Sequence, residues 1–252
     1  MKVTQTPTVV ITGASSGIGR ALAHELARRG YALGLTARRM PLLETLRSEL
    51  LAAHGEKIRI ELASLDVCRT ESVSDTLHDL FARLGGVDTV VVNAGVNDLI
   101  DIGAGQLEKE INLIQTNVIG AIATIDAAAK HFIQAGKGHI VGISSLASLQ
   151  PIPRQAAYCA SKAALAMYLA SARMELQAKG IDVTDIRPGY IATDIVDGVE
   201  IGKLPFAITA DQAAREMVAL IERRVKKGIV PRFPWAYVRP LLGHLPKRFL
   251  GV

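Results

Sequence analysis

The order of apolar and polar positions predicts alternating strands and helices over about three quarters of the chain. Short apolar runs, bounded by turn residues, alternate with longer segments whose apolar residues recur at helical spacing. This alternation is typical of parallel strands joined by crossover helices. The predicted strands are 8–12, 32–36, 57–62, 88–92, 139–143 and 181–186, and the predicted helices are 17–29, 41–53, 71–84, about 108–135 and 154–179.

The pattern changes after Pro188. Residues 190–205 are irregular, and we expect them to form a substrate loop. Thr209 and Gln212 then form a predicted capping box for a helix that runs to about Lys227. The last segment, 232–252, mixes aromatic residues and leucines with basic residues and is broken by three prolines. A C-terminal arm that covers the core is the favoured interpretation, ahead of contact with a membrane surface or a partner subunit.

Composition favours a single folded domain over residues 1–252. The chain has 252 residues, of which 49% are hydrophobic and 21% charged, enough to form a sizeable core. Its two cysteines form no CxxC pair, so no disulfide framework is expected. The first residues carry no apolar signal stretch, and no apolar run approaches the roughly 20 residues of a membrane span. These features together predict a cytoplasmic protein.

Charge and side-chain chemistry exclude several classes of function. Lys and Arg exceed Asp and Glu by 29 to 24, a mild excess, and aromatic residues make up only 4% of the chain, so no nucleic-acid partner is expected. The six histidines show no HExxH or paired spacing, so no metal site is predicted. No GxSxG turn is present, which disfavours a serine hydrolase.

A glycine-rich turn follows the first predicted strand and leads into a helix. It reads Thr12-Gly13-Ala14-Ser15-Ser16-Gly17-Ile18-Gly19. Glycines allow the backbone to approach a ligand closely, and the start of the helix presents free N–H groups to a phosphate. The turn therefore predicts a site for a phosphate-bearing cofactor.

Several motifs together resemble the short-chain dehydrogenase/reductase family over about residues 8–195. They are the spacing Gly13-x-x-x-Gly17-x-Gly19, Asn93-Ala94-Gly95 (with Val92 where the family has a first Asn), the set Asn117, Ser145, Tyr158 and Lys162, and Pro188-Gly189 with Thr193. The resemblance implies an α/β fold: a single doubly wound Rossmann-like domain whose parallel sheet is flanked by helices on both faces. It also implies a nicotinamide cofactor and a homodimer or homotetramer, whose subunits pair through the long helices around residues 108–135 and 154–179. The implied cofactor-binding residues are Gly13, Ser15, Ser16, Gly17, Ile18, Gly19, Arg38, Arg39, Asp66, Val67, Asn93, Ala94, Gly95, Tyr158, Lys162, Pro188, Gly189, Ile191 and Thr193.

The end of the second predicted strand bears on the choice between the two nicotinamide cofactors. A carboxylate there would bind a ribose 2′-OH and repel a 2′-phosphate, whereas an arginine does the reverse. The residues are Ala37, Arg38 and Arg39. They favour NADP(H) over NAD(H), with help from the Ser15 hydroxyl; the alternative is two solvated arginines.

Tyr158 and Lys162 are the central pair of the predicted catalytic set. They lie four residues apart in a predicted helix and so project from one face. A phenol is a poor acid or base at neutral pH unless its anion is stabilised, and we expect the Lys162 ammonium to lower its pKa. By resemblance, Ser145 orients the substrate oxygen and Asn117 holds a water in a proton relay. Asn117 has an alternative reading, in which it bonds a backbone carbonyl and bends its helix.

The sequence thus predicts an NADP(H)-dependent oxidoreductase that acts on a small-molecule carbonyl compound or secondary alcohol. The alternatives are a β-ketoacyl-carrier-protein reductase and a non-catalytic NADP(H)-binding redox regulator. Substrate specificity is expected from residues 96–106, 146–155 and 190–205, and their apolar members favour a hydrophobic substrate. These members are Leu99, Ile100, Leu149, Ile152, Ile191, Ile195 and Val199.

Overall fold

Seven parallel strands form the central sheet in the part of the chain that the computed structural model describes, residues 6–55, 58–193, 195, 204 and 206–235. Their order across the sheet is β3-β2-β1-β4-β5-β6-β9. The strands are β1 (Thr8–Thr12), β2 (Ala32–Ala37), β3 (Ile60–Ser64), β4 (Thr89–Val92), β5 (Gly138–Ile143), β6 (Ile181–Pro188) and β9 (Lys227–Val230); β7 (Ile191–Ala192) and β8 (Ile208–Thr209) form a separate small pair. The first three strands are added in one direction from β1, and the strands from β4 onward are added on its other side. This change of direction in the strand order confirms the predicted doubly wound topology.

Helices cover both faces of the sheet. They are α1 (Gly17–Arg28), α2 (Met40–His54), α3 (Thr70–Leu84), α4 (Leu107–Ile114), α5 (Ala121–Ala135), α6 (Ala156–Leu176) and α7 (Ala210–Glu222). A π-helical turn, Gln115–Gly120, joins α4 to α5, and short 3₁₀ turns occupy Leu146–Ser148 and Gln177–Lys179. The capping box is confirmed, because Thr209 Oγ1 accepts from Gln212 N at 3.1 Å and Gln212 Oε1 accepts from Thr209 N at 3.0 Å.

The core consists of two apolar clusters, one on each face of the sheet. On one face, Leu22 and Leu26 of α1 and Met217 of α7 pack against β1. On the other face, Phe81 of α3 and Phe132 of α5 are buried against the alternate side chains of the strands. Burial of both faces explains why the strands read as nearly continuous apolar runs rather than alternating ones.

Two predicted helices differ from the observed ones. The prediction that the last helix runs to Lys227 is wrong: α7 ends at Glu222, and Lys227–Val230 is a strand that pairs with β6. The four residues of β9, Lys-Gly-Ile-Val, contain too short an apolar run to be separated from a helix end by periodicity alone. The single helix predicted over about 108–135 is interrupted by the π-helical turn. A Cβ on Gly120 would lie 2.7 Å from Val67, so this turn approaches the loop after β3 closely.

The stretch Leu107–Ala135 is long and apolar enough to cross a membrane by length and composition. It packs against the protein instead, because half of its most apolar window is buried and α5 lies against α3. Such a stretch is also found in core helices. The sequence analysis expected no uninterrupted apolar run of membrane-spanning length. Leu107–Ala135 reaches that length only because its helical structure continues through scattered polar residues.

Candidate active site

A groove of about 570 Å³ lies across the carboxyl ends of the parallel strands, where ligands of such sheets bind. Most predicted cofactor and catalytic residues line it. The lining set is Gly13, Ser15, Ser16, Gly17, Ile18, Arg38, Arg39, Asp66, Val67, Asn93, Ala94, Gly95, Ser145, Tyr158, Lys162, Pro188, Gly189, Ile191 and Thr193. Gly19 and Asn117 do not line the groove but lie just behind it. Residues from seven separate segments therefore converge on one site.

The glycine-rich turn between β1 and α1 packs too closely for larger residues. A Cβ on Gly13, whose φ is +68°, would lie 2.8 Å from the Ala94 backbone, and a Cβ on Gly19 would lie 2.3 Å from the Gly13 carbonyl oxygen. Gly19 therefore serves the packing of α1 on the turn rather than the wall of the groove. The turn is shaped so that backbone atoms can approach a bound molecule directly.

The start of α1 presents its free N–H groups to the groove. Ser16 is the N-cap residue in an extended conformation, and its side chain forms no capping hydrogen bond. The first turn of α1 contains no acidic residue. Because an uncapped helix start carries partial positive charge, this end of the groove fits a pyrophosphate.

The turn after β4 is fastened to the glycine-rich turn. Asn93 Nδ2 donates to the carbonyl oxygens of Thr12 and Gly13 at 2.9 and 3.1 Å. The Thr12 hydroxyl oxygen accepts from the backbone N–H groups of Asn93 and Ala94 at 3.1 and 3.2 Å. These bonds hold the two sides of the crevice at a constant separation. Asn93 therefore shapes the site through its amide and lines it at the same time.

The far end of the groove carries the groups that would distinguish the two nicotinamide cofactors. Arg38 and Arg39 are exposed after β2 and line the groove with Ser15. Asp66 Oδ1 accepts from Cys68 N at 3.1 Å, which fixes the turn after β3 beside Val67. The charge at this end is positive where a 2′-phosphate would lie, so the residues present fit NADP(H).

Tyr158 lies on α6 and faces the Ser145 hydroxyl at the end of β5. Burial raises the pKa of the Tyr158 phenol to about 12, and the hydrogen bond with Ser145 opposes part of that rise. The Ser145 hydroxyl oxygen also accepts from Ala147 N at 3.0 Å. Burial thus dominates the pKa of the phenol in the protein by itself, and the expected lowering by the Lys162 ammonium stays a prediction.

Lys162 lies one turn after Tyr158 on the same face of α6. Its Nζ donates to the carbonyl oxygen of Ile143 at 3.1 Å and lies 5.7 Å from the centre of the Tyr158 ring. A Cβ on Gly95 would lie 3.4 Å from this Nζ, so the turn after β4 touches it. Burial lowers the pKa of the Lys162 ammonium to about 8, and the Asp185 carboxylate opposes that fall.

Asn117 lies in the π-helical turn and is 1% exposed. Its Oδ1 accepts from Val96 N at 2.8 Å, and its Nδ2 donates to Val96 O at 2.8 Å and to Ser161 Oγ at 3.1 Å. The side chain thus joins the turn after β4 to α6. This is close to the alternative interpretation of Asn117, in which its side chain bonds a backbone carbonyl. A π-helical turn of this kind often occurs at functional sites, so a contribution of its backbone to a relay stays a prediction.

The substrate end of the groove is partly apolar and partly polar. Of the predicted apolar residues, Leu99, Ile152, Ile191 and Ile195 line it, whereas Ile100 is buried elsewhere, Leu149 is exposed and Val199 lies outside the described residues. The polar lining includes Asn97 and Gln150. Asn97 Oδ1, Gln150 Oε1 and Trp235 Nε1 are buried without a hydrogen-bond partner among the described residues.

Sequence reasoning missed Trp235 as part of the site. Its ring is 5% exposed, packs on Leu146, and meets the rings of Tyr190 and Phe206 at right angles. The only signal was that Trp235 is the one tryptophan of the chain, and its neighbours suggested an arm rather than a wall of the groove. Residues 236–252, the remainder of the predicted arm, lie outside the described residues, as do 194, 196–203 and 205 of the predicted substrate loop.

A seven-stranded doubly wound sheet with a glycine-rich turn and a Ser, Tyr and Lys set at one groove defines a dinucleotide-dependent oxidoreductase. The model of the short chain dehydrogenase family matches residues 7–203. The chain belongs to this family of oxidoreductases.

Individual relatives agree with this assignment. The chain is 36% identical over 234 residues to an uncharacterized oxidoreductase of Myxococcus xanthus, covering 92% of this chain and 89% of the relative. It is similar in structure to an alcohol dehydrogenase of the archaeon Thermococcus sibiricus complexed with 5-hydroxy-NADP, with a TM-score of 0.80, 29% identity and coverage of 90% and 95%. It is also similar to the bulky-bulky ketone specific alcohol dehydrogenase of Comamonas testosteroni, with a TM-score of 0.80, 25% identity and coverage of 94% and 91%.

Proposed function

We propose that the protein is an NADP(H)-dependent oxidoreductase that interconverts a ketone and a secondary alcohol. The convergence of Ser145, Tyr158 and Lys162 beside the glycine-rich turn is the observation that carries this proposal. When bound, the nicotinamide supplies or accepts a hydride at its C4 atom. The protein must then hold the carbonyl carbon near that atom and manage one proton at the carbonyl oxygen.

Each of the three residues has a separate task in the reduction direction. The Ser145 hydroxyl donates to the carbonyl oxygen and orients it. Tyr158 donates its phenolic proton to the same oxygen as negative charge develops there. Lys162, held by the Ile143 carbonyl, places its positive charge beside the phenol and stabilises the phenolate that remains. Stabilising developing charge with donors already in position is the largest contribution in many such sites, and losing one donor costs about 3 kcal/mol.

The protonation state of the pair favours reduction at neutral pH. The pKa of Tyr158, raised to about 12 by burial, keeps the phenol in the form that can donate a proton. The pKa of Lys162, lowered to about 8, still leaves most of the ammonium charged at pH 7. Both groups are therefore in the state that reduction requires, whereas oxidation requires the phenol to lose its proton first.

The choice of NADP(H) over NAD(H) rests on the end of β2. Arg38 and Arg39 are exposed there beside Ser15, and Ala37 stands where a carboxylate would have repelled a 2′-phosphate. Arginine matches a phosphate by paired, charge-assisted hydrogen bonds, and this match is worth more than a contact with a neutral hydroxyl. The archaeal relative with bound 5-hydroxy-NADP supports the same choice.

The proposed substrate is a largely hydrophobic ketone that carries a further polar group. Leu99, Ile152 and Ile195 provide apolar contact at this end of the groove. The unpartnered atoms of Asn97, Gln150 and Trp235 would each gain a hydrogen bond from a substrate of matching polarity. The specificity of the Comamonas relative for ketones with two bulky substituents supports a substrate of this size.

The experiment is a panel of ketones tested with NADPH and NADH by loss of absorbance at 340 nm. The panel contains 2-octanone, cyclohexanone, acetophenone, a hydroxylated acetophenone and acetoacetyl carrier protein. Tyr158→Phe is expected to lose at least about 100-fold in kcat/KM, because the proton donor is gone. Tyr31→Phe is the control, since Tyr31 lies between α1 and β2 and does not line the groove.

Four results would contradict the proposal. Equal activity of Tyr158→Phe and the wild type would remove the phenol from the reaction. A preference for NADH would overturn the role of Arg38. Turnover of the carrier-linked substrate alone would support the β-ketoacyl reductase alternative, and tight NADPH binding without any turnover would support the redox regulator.

We also propose a cytoplasmic, homo-oligomeric protein with one domain over residues 1–252. Cys68 and Cys159 are both free thiols, in keeping with a reducing compartment. Met167, Tyr168 and Met174 are exposed on α6, one of the helices that the family resemblance assigns to subunit pairing. Light scattering of the purified protein tests the assembly: a monomer at micromolar concentration would contradict it. For the C-terminal arm, the burial of Trp235 supports packing on the core rather than on a membrane.

A further inference from the structure

A buried ion pair lies directly behind the proposed catalytic groups. Asp185 and Arg187 are two residues apart on β6, and their side chains are 1% and 10% exposed. Arg187 donates from Nε and from Nη2 to Asp185 Oδ2, at 2.7 Å in each case. The other carboxylate oxygen, Oδ1, accepts from the Ser144 hydroxyl. A buried charge is costly unless it is paired and hydrogen-bonded, and both oxygens of this carboxylate have partners.

The pair lies between the sheet and α6. Asp185 is the neighbour of Gly142 in the sheet, and a Cβ on Gly142 would meet Leu169 of α6 at 2.3 Å. Asp185 therefore projects towards the helix that carries Tyr158 and Lys162. It does not line the groove, so it has no direct access to cofactor or substrate.

The partners of Asp185 belong to the segments that hold the reacting groups. Ser144 stands between Ile143, whose carbonyl oxygen accepts from Lys162 at 3.1 Å, and Ser145. Ser144 N also donates to the Ile186 carbonyl at 2.8 Å, next to Asp185 in the chain. The hydrogen bonds of Ser144 to Asp185 and Ile186 thus fasten the ends of β5 and β6 together at the point where Lys162 and Ser145 are held.

The charge of Asp185 acts on Lys162 as well. Burial lowers the pKa of Lys162 to about 8, and Asp185 is the group that opposes this fall. The other charged or titratable groups around the pair, among the described residues, are Tyr158, Cys159 and Arg173 on α6, Arg187 on β6, and the exposed Lys227 opposite Asp185 on β9. Of these groups and Asp185, only the Asp185 carboxylate acts measurably on Lys162, and it opposes the effect of burial.

We propose that Asp185 is a positioning residue for the reaction: it fastens Ser144, and through it Ser145, and it keeps Lys162 in its charged form. Arg187 pairs with the carboxylate and limits the negative charge that reaches Lys162. The part of this inference that concerns catalysis rests on the proposed function. The part that concerns the charge of Lys162 is a property of the protein alone and can be measured without cofactor.

The first experiment is an NMR titration of the cofactor-free protein labelled with ¹³C at lysine Cε, with Lys162→Met used to assign the signal. In Asp185→Asn the pKa of Lys162 is expected to fall by about one unit, the order of shift caused by losing one nearby opposite charge. In Arg187→Gln it is expected to rise, because the carboxylate is then unpaired. Asp182→Asn is the matched control: Asp182 is on the same strand but 48% exposed and paired with Arg224, so no shift is expected.

The second experiment measures kcat/KM for ketone reduction against pH, using whichever ketone of the panel the wild type reduces fastest. Reduction requires Tyr158 and Lys162 to be protonated, and losing a negative charge makes both release their protons at lower pH. The alkaline limb of the Asp185→Asn profile is therefore expected to move to lower pH by about one unit. Ser144→Ala removes one bond but no charge, so it is expected to lower kcat without moving the limb.

An Asp185→Asn protein that is slower but has an unshifted Lys162 pKa and an unshifted alkaline limb would overturn the inference, since a purely structural role predicts that result. If Asp185→Asn does not fold, Arg187→Gln provides the test, because the pKa of Lys162 is then expected to rise. A Lys162 pKa that does not rise in Arg187→Gln would overturn the inference. If the wild type reduces no ketone, the proposed function fails, while the NMR titration still decides whether Asp185 controls the charge of Lys162.

Discussion

Gly19→Ala tests how closely α1 must pack against the glycine-rich turn. The added Cβ would lie 2.3 Å from the Gly13 carbonyl oxygen and 2.5 Å from Asn93 Nδ2, whereas ordinary contact begins at 3.4 Å. The Gly13 carbonyl must therefore move by about 1 Å. That shift breaks the hydrogen bond from Asn93 Nδ2, now 3.1 Å long, and disturbs the neighbouring one to Thr12.

The free energy of unfolding is expected to fall by about 2–4 kcal/mol. Two hydrogen bonds contribute about 1 kcal/mol each and the crowding of a packed turn about 1–3 kcal/mol, while alanine returns about 1 kcal/mol of helix propensity. Urea unfolding measures this loss. The same shift distorts the backbone that faces the pyrophosphate, so the Kd for NADPH is expected to rise at least about tenfold, measured by energy transfer from Trp235, the one tryptophan of the chain, to bound NADPH.

Gly30→Ala is the control for this prediction. Gly30 has a positive φ, +82°, unlike Gly19, and a Cβ there meets nothing within 4 Å. It should lose about 1 kcal/mol of stability with no change in NADPH affinity. If Gly19→Ala binds NADPH as tightly as Gly30→Ala does, the close packing of α1 is not what shapes the cofactor site.

Three further predictions concern other parts of the molecule. Burial lowers the pKa of His139 from 6.5 to about 4, so the unfolded chain takes up the proton first, and stability should fall by about 2 kcal/mol between pH 7 and pH 5. Urea unfolding of the wild type and of His139→Gln at both pH values tests this, because the variant should lose most of the pH dependence. An equal fall in the free energy of unfolding of both proteins would show that other groups are responsible. Arg38→Ser is expected to raise the KM for NADPH at least about tenfold with little effect on NADH, and parallel effects on both would contradict its role. Asn117→Ala leaves polar groups of Val96 and Ser161 without their hydrogen-bond partner, so the free energy of unfolding should drop by about 3 kcal/mol. An unchanged free energy of unfolding would show that those bonds contribute little.

Much of the fold could be predicted because its signals are local. Strands such as β1 and β4 are short runs of mostly apolar residues, and helices such as α1 and α3 show a regular apolar face. β9 was missed because its four residues follow a helix directly and acquire their identity only by pairing with β6. The π-helical turn was missed for a similar reason, because it accompanies the close packing of Gly120 on Val67, which are far apart in the sequence.

The candidate site divides in the same way. The glycine spacing and the Tyr158 and Lys162 pair are short motifs, so their place at the groove could be anticipated from the sequence. Trp235 joins the groove only because the chain returns after β9 and lays the ring against Leu146. The apolar substrate residues could be assigned to the correct loops, but which of them face the groove depends on how those loops pack.

By itself the sequence determined the repeating strand and helix order, the glycine-rich turn and the candidates for the reacting side chains, because these follow from short motifs. Only the tertiary structure decided the electrostatics. Burial moves the pKa of Tyr158 up and that of Lys162 down, the reverse of what a solvated pair would suggest for the phenol. It also brought Asp185, Arg187 and Ser144 together behind the site. The pKa of a buried group depends on the water it loses and on the charges that surround it. Both are set by all the segments packed around the group, so no local sequence pattern predicts them.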